Sequence, residues 1–238
     1  MLSNLLIGVL PLVMQLPALD TQGSAYARIP APVVADSVTP TRSRAVPPVA
    51  RQAKAPTRFV LAIDGNEARF RVREQLAGID FPSDAVGKTA QVQGSLLIGA
   101  DGKLVRDSSS FTVDLRTLES DQQRRDGFIK RNTIKTDSFP NAVFVPASAQ
   151  GLPTTLPATG DMAFTLTGDL TVHGVTKPVT WQVQAKRIAS GAVTGTATTD
   201  FKFGDFGMTI PKVGRVLSVD DKITLEYDFH LVPQAPSK

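Results

Sequence analysis

Between Gly160 and Ala185 the chain keeps a period of two on both sides of one tight turn. Met162, Phe164, Leu166, Gly168, Leu170 and Val172 share one parity, and Thr165, Thr167, Asp169 and Thr171 the other. Beyond His173-Gly174, Val179, Trp181, Val183 and Ala185 alternate with Thr180, Gln182 and Gln184. This pattern dictates a β-hairpin with one dry face and one wet face. Function is then expected in what the dry face encloses rather than in a catalytic motif.

The same alternation recurs along the chain. Phe59, Leu61 and Ile63 lead to Asp64-Gly65, which reads as a hairpin turn, and Ala68, Phe70 and Val72 then alternate with Arg69, Arg71 and Arg73. Further runs cover Val92 to Ile98 up to Asp101-Gly102, then Phe111 to Leu115, Val193 to Phe203, and Ile223 to Leu231. One segment reads as helix, at about residues 120–132, with Ser120 as N-cap, Gln123 reaching back, and Arg124, Arg125, Lys130 and Arg131 toward its C-terminal side. Many strands at hairpin spacing and one helical insertion predict an all-β fold, an antiparallel up-and-down barrel of about eight strands. A parallel sheet would need repeated helical crossovers.

Residues 1–27 read as a secretory signal: an apolar run from Leu5 to Met14 precedes Ala25-Tyr26-Ala27, a small-x-small cleavage pattern. Left uncleaved, residues 2–19 would serve as an anchor. Residues 28–57 read as a disordered, basic, Pro-rich linker, with Arg28, Arg42, Arg44, Arg51 and Lys54 against Asp36. Of the formal net charge of +4, the remaining 58–238 domain carries only +1. A near-neutral fold argues against nucleic acid as a partner, while the linker could touch a membrane surface. The chain has no cysteine, which removes thiol chemistry and cysteine metal sites. Gly87-Lys88-Thr89 imitates the end of a phosphate loop but lacks the strand–loop–helix context. His173 reads as a turn residue, His230 as solvent-facing, and Asp220-Asp221 as a charged turn before a strand. No metal site and no cofactor are expected.

The segments Gln123 to Lys130 and Phe139-Pro140-Asn141-Ala142-Val143-Phe144 resemble the Arg-Asp…Phe-Pro-x-Ala-x-Phe segment of the YceI-like, polyisoprenoid-binding family. Gly168 to Val179 is similar to its Gly-x-Leu-Thr-x-x-Gly-Val-Thr-Lys-Pro-Val signature. Phe203-Gly204-Asp205-Phe206-Gly207-Met208 followed by Val219-Asp220-Asp221 resembles its Asp-Phe-Gly…Val-x-Asp pattern. The resemblance spans most of Arg58 to Val232. It implies a lipocalin-like barrel around a long apolar chain such as a polyisoprenoid, quinone tail or similar lipid. It also implies export, to a periplasmic or extracellular site, and in some members a homodimer. The family has a short turn after its second strand. Here Leu76 to Gly87 intervenes, which reads as a longer loop able to lid or reshape the mouth.

An eight-stranded barrel is wide enough either to be filled by side chains or to hold one ligand. The inward parity mixes large residues with small ones such as Gly94, Gly168 and Gly195; the small ones favour a ligand, although glycines also bend strands. The predicted lining is Phe70, Phe111, Phe144, Phe164, Leu166, Gly168, Trp181, Phe201, Phe203, Leu225 and Tyr227, with Arg125 and Asp126 as headgroup contacts. Burying ~600 Å² of hydrocarbon contributes ~15 kcal/mol gross against association costs of roughly 4–15 kcal/mol, so no charged contact is required. No catalytic residue is predicted. Two alternatives stand beside this reading. One is a lipid-modifying barrel enzyme using a carboxylate such as Asp126 or Asp205. The other is a ligand-free interaction domain on a Pro-rich stalk.

Overall fold

The structure, a computed structural model, describes residues 55–234. The signal, the anchor at 2–19 and the linker therefore lie outside the described residues, save that Thr57 already opens the first strand.

The described residues form eleven strands: β1 (Thr57–Leu61), β2 (Glu67–Leu76), β3 (Ser83–Thr89), β4 (Val92–Ile98), β5 (Ser110–Asp114), β6 (Glu119–Ser120), β7 (Asn141–Gln150), β8 (Gly160–Val172), β9 (Val175–Arg187), β10 (Val193–Phe201) and β11 (Val216–Pro233). One helix, α1 (Gln123–Phe128), runs on as a π-helical turn, Ile129–Ile134.

These strands form eight staves. β1 and β2 lie end to end along one edge of β11, Leu61 opposite Leu231 and Glu67 opposite Asp228. β3 and β4 lie end to end against them, and β5 with β6 against β4 and β3. From there β7 to β11 follow as a meander, and β11 returns to β1 and β2. The result is a closed antiparallel eight-stranded barrel, as the alternation predicted, with the short edges of β3 and β6 left without a ladder partner.

Asp64-Gly65 does not make a hairpin. It belongs to a short excursion between β1 and β2, which continue in one direction along β11. Asn66 takes the place of the missing ladder. Its side-chain oxygen accepts from the His230 N–H at 3.0 Å and from the Tyr227 hydroxyl at 3.3 Å, and its amide donates to Ala62 O at 2.8 Å. With these bonds made, the chain has no need to reverse.

Leu76 to Gly87 is likewise shorter as a loop than predicted, because Ser83–Thr89 is β3. Its inward residues, Ala85, Gly87 and Thr89, are small, so its period of two carries little hydrophobic contrast. The His173-Gly174 turn stands as predicted: both residues have positive φ, 51° and 75°, as the two-residue hairpin requires. Asp220 and Asp221 fall within β11, at an irregularity between Val219 and Ile223, rather than in a turn before a strand.

Ser120 does not cap the helix in the predicted manner. Gln122 occupies the N-cap position without a side-chain bond. Instead the Asp126 carboxylate reaches back to accept from the Ser120 N–H at 3.0 Å and its hydroxyl at 2.5 Å. Ile134, with Ile129 packed beside it, joins Leu115 and Leu118 in a small cluster that seats the helix on one end of the barrel.

Candidate functional site

The staves put their dry faces inward, yet the interior is not filled. A cavity of about 560 Å³ runs inside the barrel, within the roughly 300–1,000 Å³ of small-molecule sites. All ten predicted side chains other than Gly168 border it, contributed by β2, β5, β7, β8, β9, β10, the Phe203 turn and β11.

The rings brace one another. Phe144 meets Trp181 edge-on at 5.7 Å, Phe201 meets Phe206 at 4.5 Å, and Phe111 lies 6.3 Å from Tyr227. Such contacts hold aromatics against the wall beyond their burial alone. The Trp181 indole nitrogen finds no acceptor among the described residues. Burial pushes the Tyr227 phenol well above its ordinary pKa, so it stays a neutral donor.

Gly168 corrects the expectation. It does not border the cavity: a Cβ there would press first on the Val145 carbonyl oxygen and would stand 2.7 Å from both Phe144 Cε2 and Pro146 Cα. Gly94 and Gly195 behave alike, beneath Phe111 and Phe229. The small inward residues therefore leave room indirectly, by letting neighbouring rings lie flat on the sheet.

Polar residues gather at the helix end of the cavity: Glu74, Gln122, Arg124, Arg125, Thr133 and Arg215. Two others on its border, Arg69 and Glu226, sit on the outward parity of β2 and β11 and pair with each other at 3.2 Å. Gln122 and Arg124 are exposed while bordering the cavity, as is Val213 in the β10–β11 loop, so this end communicates with solvent. At the other end Leu152 and Leu156 of the β7–β8 loop border it, and the Arg187 guanidinium pins that loop by donating to Pro157 O at 2.8 Å.

Arg125 and Asp126 part company. Arg125 ion-pairs with Glu74 at 2.6 Å, the two side chains only 15% and 8% exposed, and also with Asp121. Asp126 turns to Ser120 and does not border the cavity. Asp205 is also occupied locally, accepting from the Lys202 N–H at 2.8 Å. Neither carboxylate named for an enzyme faces the lumen.

Glu74 is the site residue that sequence reading missed. A signal existed, since it follows Phe70 and Val72 on the dry parity of β2, and a carboxylate there demands a buried partner. Leu115, Leu118, Phe128 and Ile129 were missed for another reason: only the docking of the helix brings them to the wall.

Among proteins of known sequence and structure, the YceI-like domain matches residues 59–231. A UPF0312 protein of Pseudomonas putida F1 is 36% identical over 113 residues, 44% of this chain and 55% of that protein. One from Pseudomonas fluorescens SBW25 is 34% identical over 128 residues, 50% of this chain and 62% of its own length. The match thus spans little more than half the length of these relatives. A polyisoprenoid-binding domain from Saccharophagus degradans, implicated in plant cell wall breakdown, superposes with a TM-score of 0.57 at 13% identity, over 74% of this chain and 98% of that one. A mutant Campylobacter jejuni YceI protein gives 0.50 at 16% identity, over 68% and 91%. With the closed eight-stranded barrel already established from its own strand pairing, the chain belongs to the YceI-like domain family.

Proposed function

We propose that this protein binds one amphiphile with a long hydrocarbon tail, a polyisoprenoid or similar lipid, and carries it without chemical change. The tail lies among the aromatic walls and the headgroup sits at the helix end, beside Glu74 and Arg125. The observation that carries this reading is the 560 Å³ apolar cavity reaching solvent at the end where that ion pair is buried. The polyisoprenoid-binding S. degradans domain supports the ligand class. Passive carriage is favoured because Asp126 and Asp205 are engaged in local caps away from the lumen. Export belongs to the same reading, supported by the apolar run before Ala25-Tyr26-Ala27.

The test is native mass spectrometry of protein expressed in a lipid-containing bacterial host and released gently. A co-purified hydrophobic species in stoichiometric amount is expected. A clean apo mass, with no uptake of added polyprenyl lipid, would sink the carrier reading.

A further inference from the structure

Two segments at the solvent-facing end of the cavity hold large apolar side chains out in water. On the β2–β3 turn Ile79 is 52% exposed and Phe81 79%; on the other segment Val213 is 41% exposed and Leu217 70%. The two segments form one lip. β11 begins alongside the end of β2, with Val216 opposite Leu76, and the Ala77 N–H donates to Arg215 O at 2.9 Å. The Gln75 side chain also donates to Ile79 O, tying the turn to its own strand. Leu76 and Val213 border the cavity as well, so apolar surface runs from the lumen wall out to the tip. Large apolar side chains grouped in solvent in this way mark interaction surfaces.

The charges beside the lip select the partner. Lys212 and Arg215 on it, and Arg124 at the neighbouring helix, are exposed and enter no ion pair among the described residues. Asp84 is held by Arg71 at 3.2 Å and Arg73 at 3.6 Å, and Glu74 by Arg125. That leaves Asp80 on the turn and Asp220, three residues beyond Leu217 on β11, as unengaged acids against three free cations. Apolar tips flanked by free cations match a surface whose interior is hydrocarbon and whose rim is phosphate.

We propose that this lip docks on an anionic lipid bilayer, with Ile79, Phe81, Val213 and Leu217 entering the acyl region and Lys212, Arg215 and Arg124 meeting headgroup phosphates. Docking so placed sets the cavity against the hydrocarbon layer, where a tail could pass without crossing water. It requires no particular cargo, so its failure is separable from failure of the carrier reading.

The chain has no cysteine, so single labels are clean. Phe81→Cys and, on the barrel wall beside the far half of β11, Ile63→Cys, a fully exposed position between β1 and β2, are each labelled in the full chain with a polarity-sensitive nitrobenzoxadiazole dye. Each is mixed with vesicles of phosphatidylglycerol and phosphatidylethanolamine, and with vesicles of phosphatidylcholine alone. Expected are a blue shift and several-fold brightening at position 81 on the anionic vesicles, a much smaller change on the neutral ones, and none at position 63. Adding Lys212→Glu and Arg215→Glu to Phe81→Cys should weaken vesicle affinity by tenfold or more while the thermal midpoint holds. The proposal is overturned by a silent label at 81, by equal responses at 81 and 63, or by unchanged affinity after charge reversal. It is overturned too if the label at 81 responds only to protein concentration, which would make the lip a contact between two copies of this chain.

Discussion

At Gly87 the three atoms nearest to an added methyl group would all belong to the Phe70 ring, Cζ at 2.6 Å among them. The ring lies across the strand where the glycine leaves a hollow, with Phe70 and Gly87 directly opposed in the ladder. Gly94, Gly168 and Gly195 accept Phe111, Phe144 and Phe229 in the same way, although there backbone atoms crowd the space as well. Gly87→Ala should therefore swing Phe70 into the lumen, costing about 1–3 kcal/mol of stability by overpacking and lowering uptake of a tail ligand. A titration with a fluorescent long-chain probe, run beside a denaturant curve, checks this; unaltered uptake would mean the ring has other room. Glu74 and Arg125 make a second test. Glu74→Ala leaves the buried Arg125 with only the exposed Asp121 as a partner and should cost up to about 3–5 kcal/mol. Replacing both by leucine should restore much of that stability while abolishing any preference between a headgrouped lipid and a plain hydrocarbon of equal length. If the double variant keeps that preference, the headgroup lies elsewhere.

Among the elements, β2 and β11 are joined by more than their backbone ladder. On their wet face Arg69 bridges Asp228 at 2.6 Å, Glu67 at 2.8 Å and Glu226 at 3.2 Å, while Arg71 reaches Glu226 at 3.1 Å. Arg71 beside Glu226, and Arg69 beside Asp228 and Glu67, hold these three carboxyls below their usual range. Depressed carboxylate pKa values contribute stability that is whole above the unfolded pKa of about 4 and fades as pH falls through the folded values. Glu226→Gln should thus cost about 1 kcal/mol near neutrality, a modest figure for a part-exposed pair, and the gap from the parent should close as the pH drops below about 4. Thermal melts across that interval measure it; a gap that persists at pH 2 would mean the glutamate acts through packing. Between β8 and β9 no ion pair joins the wet faces among the described residues, and Asp169 reaches Arg106 at 2.6 Å instead. Thr167 faces Thr180 at 3.2 Å and Thr171 faces Thr176 at 2.8 Å, neutral cross-strand pairs.

For the molecule as a whole, a barrel closed around an unfilled lumen gives up contacts that a packed core would make, so an occupant should be felt throughout the fold. Extracting the co-purified lipid should lower the unfolding midpoint, and returning a ligand at a hundredfold its Kd should restore about 2.7 kcal/mol. Calorimetry of the two forms decides it, and coincident melts would argue for an empty barrel. Much of this architecture was legible beforehand. Period-two runs announced β8 to β11 of the meander, though not β7, together with the His173-Gly174 turn and the wall side chains those runs carry, because alternation depends only on the pleat and on the dryness of one face. Asp64-Gly65 misled, since whether such a pair reverses the chain depends on Asn66 finding His230, more than 160 residues away. β3 was hidden because its inward residues are small, chosen to sit beneath a ring from another strand. Glu74, Arg125 and Asp126 were individually visible, but which of them pair is a matter of distance in space, and so is the meeting of the β2–β3 turn with the start of β11. Local chemistry determined that this chain makes antiparallel strands with one dry face. Only closure of the barrel decided that the dry faces stop short of one another, because that gap is set by rings from one stave lying on the glycines of the next.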